Sequence, residues 1–335
     1  KIYLKNKYEI DPNRINSIFI KELLTKIKLN RFQFINDFII EYFDKKASDL
    51  IDFNNLDILI GWSSFSLNSF KIAQNYKCLK ILERGSTHIQ YQNDIIKEEY
   101  KIHNLKPIET SEFIIKKELQ EYEIADYITV PTEFAKQTFI ERGISESKLI
   151  KIPYGVNIKH FDKNFDKNII KNNVSFRIIY TGAVSVRKGV IYLLKAYEDL
   201  NLKDSELMII GNIDKELIPI INKFRKNNKI KFINSIKQSE LYKYYKISDI
   251  FVTCSIEEGL SMVQLQAMSS GLPVICTKNS GGDEIIDNNI NGYILPIRNL
   301  EILKSKIKYL YENKNICKHM GNEAKKKVSN KFSWE

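Results

Sequence analysis

A glutamate and a glycine open a short predicted helix within residues 255–268, directly after a buried predicted strand. This position sets the carboxylate of Glu258 beside the backbone amides of Gly259, Leu260 and Ser261, which are expected to be unpaired at the helix N-terminus. Unpaired amides and the helix dipole attract phosphate, whereas a carboxylate binds hydroxyl groups and repels phosphate. The pattern therefore predicts a ligand that carries both an anionic group and sugar hydroxyls.

A second glycine loop, residues 181–190, joins a predicted strand to a predicted helix and carries Arg187 and Lys188. In a doubly wound parallel sheet, the loops that follow the carboxyl ends of the strands form the ligand site. Arginine is scarce in this lysine-rich chain, so its use at position 187 indicates a forked contact that lysine does not make. Two solvated loop charges are the alternative interpretation.

The first half of the chain alternates predicted strands with predicted helices. The predicted strands are 57–61, 79–82, 127–130 and 149–152, and the predicted helices are 16–50 (one or two), 67–74, 108–125 and 133–142. Short apolar strands separated by helices are typical of a parallel sheet. Because the first such strand comes only at 57, this half is expected to be incomplete at its start.

The second half repeats the alternation after a polar, turn-rich stretch at 153–173, which we interpret as an interdomain linker. Its predicted strands are 176–181, 206–210, 230–233, 250–254, 273–276 and 292–295, and its predicted helices are 190–200, 215–226, 238–247, 261–270 and those after 299. We therefore predict two doubly wound α/β domains, over 1–157 and 158–335. Their ligand is expected in a cleft between them, at the carboxyl ends of the strands.

Composition narrows the classes of protein that fit. A chain of 335 residues is long enough for two domains, since single cores stop growing near roughly 250–300 residues. The net charge of +11 comes from lysines spread along the chain, and no basic stripe interleaved with aromatics occurs, which disfavours nucleic-acid binding. Composition bias and attraction to an anionic membrane surface both stay open as explanations of this charge.

The cysteines and acidic residues point away from disulfides and metals. The four cysteines are scattered along the chain, which favours a reducing compartment. The sequence has neither a CxxC pair nor an Asp-x-Asp pair, so we predict no metal site. No run of about 18 apolar residues is present to span a bilayer. The predicted location is the cytoplasm, with peripheral association at the inner face of the cell membrane as a further expectation.

Nine motifs, in this order along nearly the whole chain, resemble those of glycosyltransferase family 4, retaining enzymes of the GT-B fold. They lie at residues 61–67, 83–88, 125–133, 152–156, 187–189, 258–260, 266–268, 271–274 and 281–284. One glycine loop is weak support for a family, whereas nine motifs in sequence are specific. The resemblance implies the GT-B fold, in which two Rossmann-like domains face a central cleft and the N-terminal domain receives the acceptor.

The resemblance assigns roles to the residues of the two glycine loops. It implies that Glu258 contacts the hydroxyls of the donor sugar and that Lys188 grips the diphosphate. Where the family has a second glutamate on the nucleotide ribose, this chain has Gln266, a neutral acceptor that binds a diol less strongly than a carboxylate does. Ala183 stands near the usual arginine position, so Arg187 is expected to supply that charge.

The resemblance also implies contacts from three other places. His88 follows a predicted strand and is expected against the donor sugar, Ile236 matches a place where the main chain holds the nucleobase, and Gly182 belongs to the diphosphate loop. An ordinary histidine at the edge of the core and a packed isoleucine are the alternatives. Glycines 281 and 282 fit a loop near the donor, and turn geometry explains them almost as well.

The implied function is retaining transfer of a sugar from a nucleotide diphosphate sugar to a hydroxyl of a glycan or lipid-linked acceptor. It would proceed without metal, and with no cofactor apart from the donor itself. Gln266 and Ala183 keep a second interpretation open, a non-catalytic module of the same fold that binds nucleotide sugars or glycans. A phosphorylase or an epimerase of nucleotide sugars and a polyanion-binding scaffold are further alternatives, which fit the motifs less well.

Overall fold

The computed structural model of the protein describes residues 33–163, 165 and 174–334. The part of the predicted N-terminal helices before residue 33 and the later part of the predicted linker lie outside these residues. These residues form two compact units: one contains 33–84 together with 110–129, and the other contains 85–109, 130–163, 165 and 174–334. This grouping differs from a linear division at residues 157 and 158, which stays a prediction.

The first half of the chain contains strands and helices in close alternation. They are α1 Gln33–Ser48, β1 Ile58–Trp62, α2 Leu67–Ala73, β2 Leu79–Glu83, α3 Ile89–Ile102, α4 Glu112–Ile124, β3 Tyr127–Val130, α5 Glu133–Ile140, β4 Leu149–Lys151 and α6 Ile158–Phe161. Every strand predicted here forms, within one residue at each end. The short helix α6 falls inside the stretch that was predicted to be a linker.

The second half continues the alternation. Its elements are β5 Phe176–Thr181, α7 Val190–Leu200, β6 Ser205–Ile210, α8 Ile218–Phe224, β7 Ile230–Ile233, α9 Gln238–Lys246, β8 Ile250–Val252, α10 Met262–Ser269, β9 Val274–Thr277, α11 Gly282–Ile285, β10 Gly292–Leu295, α12 Leu300–Glu312 and α13 Lys314–Lys331. One-turn 3-10 helices at Lys215–Leu217 and Lys278–Ser280 lead into α8 and α11.

In the first unit, β1, β2 and β3 pair in parallel, with Ile60 opposite Ile81 and Ile81 opposite Tyr127. Leu82 and Ile128, which point to the other face of this sheet, are fully buried. Helices connect the strands, as parallel pairing requires. The sheet therefore has the predicted parallel βαβ organisation.

In the second unit, β5 to β10 form one parallel sheet in the order β10-β9-β8-β5-β6-β7. The strands β8 and β9 are buried along their whole length, since helices cover both faces of the sheet. One apolar core contains Ile178 and Leu194, and the other contains Ile179 and Phe251. The two parallel sheets confirm the predicted α/β class.

The strand order reverses between β5 and β8, which are neighbours in the sheet. At such a switch point the loops after the two strands run to opposite sides and leave a crevice, which is where doubly wound sheets bind ligands. The two loops are the glycine loop after β5 and the 253–261 segment after β8. The fold therefore places both sequence-predicted ligand loops side by side.

Candidate active site

The loops after β5 and β8 contact each other through their backbones. The Ile256 amide donates to the carbonyl oxygen of Arg187 at 2.8 Å. Gly189, the last residue before α7, has a left-handed backbone with φ of 59°, and a Cβ atom at this position would lie 2.0 Å from the carbonyl oxygen of Cys254. Only glycine allows this approach without displacement of the neighbouring backbone. These backbone contacts fix the positions from which the side chains of Arg187 and Lys188 extend.

Lys188 and Glu258 form an ion pair between the two loops, and their side chains are only 15% and 10% exposed. The second carboxylate oxygen of Glu258 accepts a hydrogen bond from the Ser255 hydroxyl at 2.8 Å. Burial is the largest influence on Lys188 and lowers its pKa to about 7, and the adjacent Arg187 acts in the same direction. Direct contact with the Glu258 carboxylate favours the ammonium form of Lys188.

Arg187 pairs with a different carboxylate, that of Glu257, at 3.2 Å. Glu257 is fully buried and accepts three further side-chain hydrogen bonds, from Ser86 at 2.5 Å, Thr87 at 2.7 Å and Gln92 at 2.8 Å. Burial would raise the pKa of Glu257, but the Arg187 charge and these hydrogen bonds outweigh it and lower the pKa to about 2. This carboxylate therefore stays ionised and links the 86–92 segment to the glycine loop.

Sequence reasoning gave Glu257 no role. A carboxylate beside Glu258 reads as a second solvated charge, and its partners at 86–92 lie more than 160 residues earlier in the chain. One feature of the sequence did point to burial. Residues 253–256, which come just before Glu257, are apolar or small, and such residues are not typical of a solvated loop.

The start of α10 differs in one respect from the expectation of three unpaired amides. The Ser261 amide donates to the Ser280 carbonyl at 3.1 Å, and the Glu258 amide donates to the Asn279 carbonyl at 2.8 Å. The Ser261 amide is therefore already bonded to the turn 278–280, and the expectation of a free amide at Ser261 is wrong. Gly259 and Leu260 lie between these two bonded positions, with Leu260 buried, and their roles as ligand contacts stay predictions.

Gln266 lies on the buried side of α10 and is 6% exposed. Its Oε1 accepts from the Tyr245 hydroxyl at 3.3 Å, and this hydroxyl lies 2.7 Å from Oγ1 of Thr181, the last residue of β5. The next residue, Gly182, donates its amide to the Ile210 carbonyl at 2.9 Å. Gln266 and Gly182 are thus both positioned by the end of β5, while Ile236 packs partly buried on the core that contains Phe251.

His88 is buried and begins α3 as its N-cap residue. Its Nδ1 accepts from the Gln90 amide at 3.3 Å, its own amide donates to the Thr138 hydroxyl at 3.0 Å, and its ring meets that of Phe139 edge-on. Thr87, the residue before it, is one of the donors to Glu257. The structure therefore brings His88 to the Arg187 side of the site, and a direct role in chemistry stays a prediction.

The loop after β1 in the first unit contains a second buried polar cluster that sequence reasoning missed. The amides of Ser64 and Ser66 donate to the Glu121 carboxylate at 2.6 and 2.8 Å. Burial is the main cause that raises the pKa of Glu121 to about 7, and the nearby Glu118 adds to it. Glu118 pairs with Arg84 at 3.4 Å. These contacts hold the 63–66 loop, which is part of the first family motif.

Two expectations about absent features stay predictions. Within residues 33–163, 165 and 174–334, no three His, Cys, Asp or Glu side chains come together as a metal site would require. In the same part of the chain, every helix is too short or too polar to cross a bilayer. Neither finding decides the metal requirement of a reaction or the location of the protein.

A parallel sheet in each unit, with two glycine loops at the switch point of the second sheet, is the organisation of the GT-B fold. Residues 161–327, just under half of the chain, match the family described as glycosyl transferases group 1. An uncharacterized glycosyltransferase of Methanocaldococcus jannaschii is 27% identical over 65% of this chain and 58% of its own length. Membership of family 4 in particular stays a prediction.

Two further proteins are similar to this chain. The lipopolysaccharide 1,2-N-acetylglucosaminetransferase of Salmonella typhimurium is 24% identical over 62% of this chain and 58% of its own length. The crystal structure of Anabaena HepE in complex with UDP-glucose superposes with a TM-score of 0.66 at 15% identity, over 88% of this chain and 78% of that one. This chain spans less than two thirds of the length of the first curated relatives that it matches.

Proposed function

We propose that this protein transfers a sugar from a nucleotide diphosphate sugar to a hydroxyl group of a glycan or lipid-linked acceptor, with retention at the anomeric carbon and without a metal ion. The observation that carries the proposal is the Lys188–Glu258 pair at the switch point of the sheet. In this pair, Lys188 and Glu258 neutralise each other. A nucleotide diphosphate sugar could replace the pair, because its phosphates would bind Lys188 and its sugar hydroxyls would bind Glu258.

The chemistry divides between these groups. As the bond between the anomeric carbon and the phosphate oxygen breaks, negative charge develops on the leaving diphosphate, and fixed cations near that oxygen lower the barrier. Lys188, Arg187 and the start of α10 would supply this stabilisation in place of a metal. Glu258 would bind the sugar hydroxyls. The acceptor hydroxyl would attack from the face that the diphosphate leaves, and the diphosphate would take its proton.

The remaining predicted contacts hold the nucleotide. Gln266 would bind the ribose with its amide, Gly182 would let the backbone approach the diphosphate, and the main chain at Ile236 would hold the base. UDP is a reasonable first nucleotide to test, because the similar Anabaena protein was crystallised with UDP-glucose. His88 would contact the sugar only after its ring leaves the capping position at α3.

The acceptor and the location of the reaction belong to the same proposal. The name of the similar Salmonella protein gives a lipopolysaccharide as its substrate, which supports a glycan or lipid-linked acceptor for this chain. The net charge of +11 would favour peripheral contact with an anionic membrane surface. We propose that the protein acts in the cytoplasm, at the inner face of the membrane.

The experiment is a comparison of donor binding and donor turnover. Calorimetry with UDP and UDP-glucose measures binding, and UDP release with and without EDTA measures turnover and metal dependence. Binding with EDTA-resistant UDP release and an α-linked product supports the proposal. Binding without any UDP release would identify a non-catalytic nucleotide-sugar module instead, and loss of turnover in EDTA would contradict the metal-free mechanism.

A further inference from the structure

A pocket of about 360 Å³ lies in the second unit between α3, α5 and the 278–283 segment. This volume is within the range of small-molecule sites, roughly 300–1,000 Å³. The side chains that matter for its chemistry are those of Tyr91, Phe134, Gln137, Glu141, Asn279 and Asp283. None of its lining residues is among those proposed to contact the nucleotide or the donor sugar.

Two aromatic rings form one wall of this pocket. Tyr91 and Phe134 are half-buried, and their centroids lie 5.9 Å apart in an edge-on arrangement. A partly exposed ring offers an apolar face to the C–H side of a sugar and, in the case of tyrosine, a polar group to a hydroxyl. Rigid aromatic walls with a few polar groups are the usual composition of a small-ligand site.

The polar groups of the pocket suit hydroxyls and amines. Carboxylates of Glu141 and Asp283 and the amide of Gln137 supply acceptors, with Lys278 as the cation among the lining side chains. The third carboxylate, that of Glu133, is paired with Lys151 at 3.6 Å. Carboxylates accept from hydroxyl and ammonium donors and repel other anions. The lining is therefore complementary to a neutral or amino sugar.

The pocket shares its walls with the direct neighbours of two predicted site residues. The carbonyl of Asn279 accepts from the Glu258 amide at 2.8 Å, while its side-chain amide donates to the Tyr91 hydroxyl at 3.4 Å. On the other side, Thr138 lines the pocket, and its hydroxyl accepts from the His88 amide at 3.0 Å. A molecule in the pocket would thus contact the residues that are bonded directly to Glu258 and to His88.

We propose that this pocket binds the accepting sugar, and that the sugar is a neutral or amino-bearing hexose unit rather than a uronic acid or a sugar phosphate. This inference rests on the proposed function. The aromatic wall would hold the ring of the acceptor, and the carboxylates would orient its hydroxyls. One of these hydroxyls would then face the donor sugar held by Glu258.

Saturation-transfer NMR on the full chain tests binding directly, with methyl α-D-glucopyranoside, D-glucosamine and D-glucuronate as probes. We expect transfer to the first two probes and at least 5-fold less to glucuronate. Phe134→Ala should reduce transfer to the first two at least 5-fold. Tyr309→Ala is the matched control, because Tyr309 is an exposed aromatic residue on α12, and it should leave the transfer unchanged. Equal signals in wild type and Phe134→Ala would overturn the proposal.

Enzymatic assays separate this inference from the proposed function. With UDP-glucose as donor, Phe134→Ala should retain UDP-glucose affinity and transfer to water within 2-fold, while transfer to a sugar that binds in the NMR assay falls at least 10-fold. Unchanged transfer to that sugar would refute the acceptor pocket. Failure of the wild-type chain to bind any nucleotide sugar would refute the proposed function instead.

A surface variant keeps the test decisive if Phe134→Ala does not fold. Glu141 is exposed, so Glu141→Gln should fold normally and should narrow the preference for glucosamine over glucuronate at least 3-fold, because one repelling charge is removed. An unchanged preference would contradict the assignment of the pocket to sugars of this charge type.

Discussion

Glu257→Gln tests whether a buried carboxylate holds the candidate site together. Each oxygen of Glu257 accepts two side-chain donors: Ser86 and Thr87 contact one, and Gln92 and Arg187 contact the other. A glutamine must turn its NH2 group toward one of these pairs. The variant therefore loses the charge opposite Arg187 and at least one accepting oxygen, although its side chain has almost the same volume.

The expected cost follows from the pKa of the carboxyl. A group whose pKa falls from 4.5 to about 2 on folding stabilises the folded state by about 3 kcal/mol at neutral pH, at about 1.4 kcal/mol per pH unit. This contribution is fully present above pH 4.5 and is lost as the pH falls toward 2. The wild type should therefore lose about 1 kcal/mol of it by pH 3.5, so that the gap between wild type and Glu257→Gln narrows.

The assay is urea denaturation at pH 7 and pH 3.5, combined with calorimetry of UDP-glucose binding. Glu257→Gln should lose about 3 kcal/mol of stability at pH 7 and should bind the donor more weakly, because Arg187 is no longer oriented. Glu99→Gln is the control: Glu99 is equally buried and pairs with Arg298 at 2.7 Å, and its other side-chain partners, His103 and Tyr192, lie outside the two glycine loops. It should lose stability and keep donor affinity. Wild-type stability for Glu257→Gln at pH 7, or a gap that stays constant down to pH 3.5, would refute the reasoning.

Four other variants test separate parts of the molecule. Lys188→Ala should slow sugar transfer by roughly 100-fold or more, and normal turnover would contradict a cationic diphosphate site. Glu258→Gln should impair transfer while UDP affinity by calorimetry stays within about 3-fold, the small change expected when a ligand keeps its other charge-assisted contacts; a larger loss of UDP affinity argues against its assignment to the sugar. Gly189→Ala should lower the melting temperature, since a left-handed residue in contact with the Cys254 carbonyl costs more than about 1 kcal/mol to replace, and an unchanged melting curve would show that the backbone adapts. For Glu121, whose folded carboxyl holds its proton up to about pH 7, wild-type stability should fall between pH 4.5 and 7, and urea midpoints of Glu121→Gln should lack this decline.

The strands could be predicted from sequence because each is a short apolar run between turn residues. The helix α3 was not predicted, although its sequence is amphipathic; its orientation depends on contacts such as Glu99 with Arg298, almost 200 residues away. The helix predicted at 108–125 begins only at Glu112, because the Ser111 side chain caps it by accepting from the Ile114 amide at 3.2 Å. Local patterns predict strands well, whereas helix limits depend on caps and distant partners.

The closeness of Lys188 and Glu258 could be predicted from sequence, because each stands in a glycine loop that follows a parallel strand. Lys188 and Glu258 each stand in a motif with glycine, and the structure brings them together as an ion pair. Glu257 and Glu121 were missed because their significance comes from burial and from donors on other elements, which a linear sequence does not show. The wrong expectation at Ser261 has the same cause, since the carbonyl that its amide contacts belongs to the turn after β9.

The Tyr245 hydroxyl, which lies between Thr181 and Gln266, has a consequence for the departure from the usual glutamate at 266. A glutamate there would carry a negative charge on the buried side of α10. The Tyr245 hydroxyl, which donates to Gln266 at 3.3 Å, would be a donor to it before a diol binds, and would offset only part of the cost of burying the charge. The neutral amide avoids this cost, and in the proposed function it would bind the ribose less strongly than a carboxylate would. If residue 266 holds the ribose as proposed, a glutamine there would give weaker donor binding and a lower cost in the ligand-free protein, and the burial of this position would set that balance.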